Sequence, residues 1–192
     1  MAKRILLAGV LGGIALFIWG GLAHMVLGLG MVGVQNLPQP QPVMDALKAS
    51  TQQSGFYFFP PADAAGKVAP DKAGGPYGIM IYNAAGAGAP MTGQMITECA
   101  LNIVMALFAA FMLSLASGLT SFVSRVGFVT VLGLMVGLMT NVQYWNWYGF
   151  PLNYTEVAIF MDIVGFLIVG LIAAAFVKPS VQRIMAVPAR AA

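Results

Sequence analysis

Charged residues make up only 8% of this 192-residue sequence, against roughly 25% in an ordinary soluble domain. With 59% of the residues hydrophobic, a water-soluble fold of this size has no interior large enough to hide them. Cysteine is limited to Cys99, which excludes an intramolecular disulfide and any thiolate metal cluster built from this chain alone. Histidine is limited to His24, so an intramolecular metal site is short of nitrogen donors, and no HxxxH, HExxH or ExxH spacing is present. Phosphate-binding glycine loops, serine-nucleophile elbows and dinucleotide fingerprints followed by an acid are also missing. The basic residues stand singly or in pairs, so the net charge of +3 points to membrane topology and not to nucleic acid.

What the sequence has instead is long apolar blocks. After Lys3 and Arg4, residues 5–34 carry no charge apart from a titratable His24, a run longer than the roughly 20 residues that span a bilayer. It exceeds a typical signal-peptide core and reads as a retained anchor. Further runs at about 95–115, 122–142 and 157–177 are each about one bilayer long. The expected fold is an all-α membrane protein, a four-transmembrane-helix bundle in a single domain over residues 1–192.

Between the first two runs, residues 35–94 form a proline-rich extracytoplasmic loop in which Pro38, Pro40, Pro42, Pro60, Pro61, Pro70, Pro76 and Pro90 exclude a continuous helix. Val43 to Thr51 suits a short amphipathic helix. Residues 56–59 and 77–82, aromatic and β-branched between Gly, Pro and Asn, read as short strands forming a hairpin-like pair. A lone hairpin is marginal in water, so this one is expected to cap the outer helix ends and pack on Trp145 to Phe150, within an aromatic stretch at 144–154. In that stretch Trp145, Trp147, Tyr148, Phe150 and Tyr154 are expected to anchor the chain at headgroup level; a lipid, quinone or pigment pocket is the alternative.

Lys3, Arg4, Arg125, Lys178, Arg183 and Arg190 fall on one side of such a layout. On the other, Lys48, Lys67 and Lys72 are balanced by Asp45, Asp63 and Asp71. The positive-inside rule then places both termini in the cytoplasm.

Ionisable groups inside apolar runs are costly and are functional candidates by default. His24 lies roughly 28 Å along its helix at 1.5 Å per residue, while Glu98 and Asp162 lie about one and two turns in from the outer ends of theirs. Three helices can thus bring His24, Glu98 and Asp162 together in the outer leaflet, with Asn102 and Asn141 placed to join a polar cluster. Imidazole and carboxylate would suit a divalent metal; a proton or ion path and a structural polar cluster are the alternatives. Glu156, expected in a first helical turn, reads as a hydrated end group. Glycines in Gly9 to Gly13, at Gly133 and Gly137, and at Gly165 and Gly170 suit close helix approach, either within the chain or in self-association.

A sizeable partly β loop after the first helix and a short loop after the third resemble the layout of claudin-type four-helix proteins, without the tryptophan motif and paired cysteines of the claudin loop. Residues Trp19-Gly20-Gly21-Leu22-Ala23-His24-Met25, Gly55-Phe56-Tyr57-Phe58-Phe59-Pro60 and Gly78-Ile79 resemble segments of uncharacterised bacterial four-helix inner-membrane proteins. That resemblance implies a bacterial inner membrane and no particular activity. With no catalytic set in view, the leading expectation is an accessory or assembly subunit that binds lipids and other membrane proteins or a second copy of itself. The alternatives are a small-solute or ion transporter using the intramembrane acids, and a metal- or cofactor-binding protein around His24, Glu98 and Asp162. No specific cofactor is indicated.

Overall fold

The computed structural model describes residues 1–61, 63, 66–67, 74–86 and 90–178. Four helices in it are long and apolar enough to cross a membrane: Ala2–Val26, Thr92–Leu115, Phe122–Tyr148 and Leu152–Phe176. The first is α1 (Ala2–Gly21) continued by a π-helical turn, Leu22–Val26. The third is α4 (Phe122–Gly137), a second π turn (Leu138–Val142) and α5 (Gln143–Tyr148). The others are α3 (Thr92–Leu115) and α6 (Leu152–Phe176). Arg183, Arg190, Asp71 and Lys72 lie outside the described residues.

The helix limits differ most from the sequence expectation at three ends, each for a local reason. The first span stops at Val26, short of Val34, because Gly28 takes the left-handed conformation at φ 66° and turns the chain into a 3-10 turn at Leu29–Met31. The third runs past Val142 to Tyr148, so the aromatic stretch begins as helix; Gly149, at φ 71°, ends it, its N–H donating to the Trp145 carbonyl oxygen at 3.2 Å. The fourth starts at Leu152, directly after Pro151, which has no N–H to leave unpaired. Glu156 is consequently one turn inside α6 and not at its start.

Helix α1 packs on both α3 and α6, and α6 on α4, while α3 and α4 touch only slightly. Small residues set these distances. A side-chain carbon at Gly13 would overlap the Ile103 backbone, and one at Gly9 would overlap Leu107. On the other contact, a Cβ at Gly133 would overlap Phe166, and one at Gly137 would lie 3.2 Å from Ile159 Cα. The glycines are thus used inside the chain, where close backbones gain dispersion contacts. Ala8, Ala106, Ala109, Ala110, Val129, Val169, Ala173 and Val177 complete a core of small side chains.

Between α1 and α3, Pro40–Ser50 forms α2, beginning at Pro40 and not at Val43 because proline is well suited to a first helical turn. Strands β1 (Gly55–Phe59) and β2 (Gly78–Tyr82) pair antiparallel, with Phe56 opposite Ile81 and Phe58 opposite Ile79. This is the expected hairpin. The Ala84 N–H donates to Ser54 Oγ at 3.0 Å and closes its base, while Tyr57 Oη donates to the Gln53 carbonyl at 2.7 Å.

Candidate functional site

Period-2 alternation puts Phe56 and Phe58 on one face of β1, and that face meets the end of α5. Ring centroids of Phe56 and Phe58 lie 6.2 and 6.3 Å from Tyr148. The series continues through Tyr144 at 6.0 Å from Tyr148, Phe150 at 5.2 Å from Tyr144, and Tyr154 at 5.5 Å from Phe150. An aromatic ladder therefore ties the hairpin to α5 and α6, and the loop is not an isolated lobe. A cleft of about 860 Å³ adjoins it, lined by residues that include Phe56 to Pro61, Tyr77 and Trp147. Of the five expected anchors, Tyr148, Phe150 and Tyr154 stand in the ladder, whereas Trp145 and Trp147 lie outside it and are exposed, Trp147 along the cleft.

Each aromatic pair is worth about 0.5–1.5 kcal/mol beyond the area it buries. Changing Tyr148 to Ala removes both pairs to β1, so the hairpin should open roughly tenfold more often, each factor of ten corresponding to about 1.4 kcal/mol. Tryptic cleavage after exposed Lys67 would report this; an unchanged rate would mean that the hairpin is held by something other than the ladder.

The second feature is a cavity of about 290 Å³ between α1, α3 and α6. His24, Glu98, Asn102 and Asp162 line it, together with Trp19, Leu16, Leu101, Met105 and Phe166. The three ionisable groups singled out from sequence therefore face one space. They do not close into a ligand set: among the described residues no group of three or more His, Cys, Asp or Glu side chains is placed to hold a metal. Each is drawn to a local partner instead. His24 Nδ1 donates to the Gly20 carbonyl oxygen at 3.0 Å, and Gly30, folded back beyond Gly28, covers its ring so closely that a side chain there would overlap it. Glu98 Oε1 accepts from Asn102 Nδ2 at 3.2 Å along one face of α3. Asp162 Oδ2 accepts from Asn141 Nδ2 at 3.2 Å, across from the third span.

Both π turns fall at this level. His24 sits in one and Asn141 in the other, and Asn141 also donates to the Gly137 carbonyl at 3.0 Å. Such single-turn insertions often mark functional positions, because they redirect one side chain without ending the helix. The expected polar residues thus form two amide–carboxylate pairs, Asn102 with Glu98 and Asn141 with Asp162, of which Asn102, Glu98 and Asp162 line the cavity.

Trp19 is the cavity residue that the sequence reading passed over. Its Nε1 donates to the Met161 carbonyl at 3.0 Å, pinning α1 to α6 and fixing the indole as a wall. The signal was available, since an indole within an apolar run needs an acceptor for its N–H.

Comparison with protein-family models, curated proteins and solved structures finds no match to this chain.

Proposed function

We propose that this chain is a multi-pass protein of a bacterial inner membrane, a four-helix bundle with both termini in the cytoplasm, acting as an accessory or assembly subunit for other membrane proteins. Supporting the orientation, Lys3, Arg4, Arg125 and Lys178 fall at the same ends of the four spans, while Lys48 and Lys67 share the opposite side with Asp45 and Asp63. The observation that carries the subunit role is the division of surfaces. The glycine faces are consumed between the chain's own helices, so recognition falls to the hairpin and α5, where Ile81, Tyr77 and Trp147 are 82%, 78% and 75% exposed. Tyr77 and Ile81, large side chains outside the apolar spans, and Trp147 at the end of one suit a protein partner better than water.

Orientation is tested in a Cys99→Ser background with single cysteines at Ser54 or Ser117 and a membrane-impermeant maleimide on intact cells. Labelling is expected at position 54 and, at position 117, only after permeabilisation; the reverse pattern would invert the topology. The subunit role is tested by a photo-crosslinking residue at Ile81, with lipid-exposed Phe108 as control. A discrete heavier adduct from position 81 alone is expected. A chain that yields no adduct and purifies in mild detergent as a lone monomer would refute the assignment.

Conduction has less support. Phe166 and Met105, one turn below Asp162 and Leu101, border the cavity and also pack in or against the core, and below them Ala110, Val129, Val169 and Ala173 are buried.

A further inference from the structure

We propose that the cavity between α1, α3 and α6 is a binding site for a small organic ammonium cation. Two carboxylates from different helices, Glu98 and Asp162, face it; among the described residues its lining holds neither lysine nor arginine, and its one basic side chain, His24, is bonded through Nδ1 to the Gly20 carbonyl. Each carboxylate has one neutral amide for company, Asn102 or Asn141. An amide satisfies part of a carboxylate's hydrogen-bonding capacity but supplies no counter-charge, and carboxylates at membrane depth are normally paired with a cation. A metal ion demands several ligands at short, fixed distances, an arrangement that the described residues do not form. An ammonium group asks less: a negative potential and a surface that tolerates its alkyl portion.

The remaining walls meet that second requirement. The Trp19 ring is held in place by its bond to the Met161 carbonyl, and an indole face is the best aromatic partner for a cation. Phe166, Met105 and Leu16 offer apolar contact to an alkyl chain. At about 290 Å³ the cavity lies at the small end of ligand pockets, which restricts the ligand to a short amine. Because Phe166 also belongs to the buried core, the cavity is blind on that side and is suited to holding a ligand and not to passing it. The inference rests on the membrane insertion proposed above, which maleimide labelling examines separately.

The test uses the full chain in lipid nanodiscs with Trp145→Phe and Trp147→Phe, leaving Trp19 as the sole indole of the three in the sequence. Butylammonium is titrated against butan-1-ol, its neutral counterpart, while Trp19 emission is followed. A saturable change is expected with butylammonium and at least tenfold weaker binding of the alcohol. Glu98→Gln and Asp162→Asn should each weaken butylammonium binding at least tenfold, and Glu156→Gln, outside the cavity, should leave it unchanged. If Asp162→Asn does not give a monodisperse chain, Glu98→Gln decides, since Glu98 is bonded only within its own helix. An equal response to butan-1-ol, no saturable response in the folded chain, or binding unaffected by Glu98→Gln would overturn the proposal. So would a tighter response to Zn²⁺ that is lost in His24→Gln, which would make the cavity a metal site.

Discussion

Changing Gly13 to Ala is expected to destabilise the chain by about 3 kcal/mol, the upper end of the usual overpacking range, although it adds a single methyl group. The position of the obstacle decides the magnitude. A Cβ at Gly13 meets the backbone and side chain of Ile103, and backbone cannot swing aside as the end of a long side chain can, so α1 and α3 must separate. Separation also lifts Gly9 from Leu107 one turn away. Gly127 is the control, because a Cβ there has nothing within 4 Å, and Gly127→Ala should stay within about 0.5 kcal/mol of the parent. Unfolding of both variants in mixed micelles measures the difference. Equal stability would mean that α1 and α3 do not cross at Gly13 as described.

That contrast bears on what glycine spacing says in a sequence. Gly9 and Gly13, and Gly133 and Gly137, announce a close helix contact, but spacing is silent on whether the partner is another helix of the same chain or of a second copy. Here all four meet internal partners. The apolar spans and the hairpin were equally legible, because length against bilayer thickness and β-branched aromatic runs are strong local signals. The ends of the helices were less so. Gly28 and Gly149 stop two of them, yet Gly20, Gly21 and Gly127 lie within helices, so the residue type alone does not mark the stop. The π turns carry no sequence signature that separates them from α-helix, and it is they that set the directions of His24 and Asn141. Depth counting suggested that His24, Glu98 and Asp162 could meet, and all three line one cavity. It could not tell that each would be claimed by a neighbour, because that depends on rotation about the helix axis as well as on height.

The sharpest consequence of those local pairings concerns Asn141, which is 8% exposed and links the third span to α6 through Asp162. Asn141→Leu should cost more than the double variant Asn141→Leu, Asp162→Leu. Removing the amide alone leaves the Asp162 carboxylate with its one side-chain partner gone, whereas replacing both removes carboxylate and amide together. Breaking a buried charged pair in a soluble protein costs about 3–5 kcal/mol. Measured couplings inside membrane proteins average about 0.6 kcal/mol and reach about 1.7, because the partly unfolded chain also finds partners for its polar groups. Asp162 Oδ2 lies 3.3 Å from where a Cβ on Gly137 would stand, so the carboxylate is held against the third span and has little room to seek another donor. The coupling should therefore fall near the upper membrane value, with the single Asn141→Leu variant about 2 kcal/mol less stable than the parent. A double-mutant cycle on unfolding in micelles gives both quantities. A coupling indistinguishable from zero would show that Asp162 takes its compensation from elsewhere in the cavity, and the bond to Asn141 would then be a consequence of helix packing and not one of its causes.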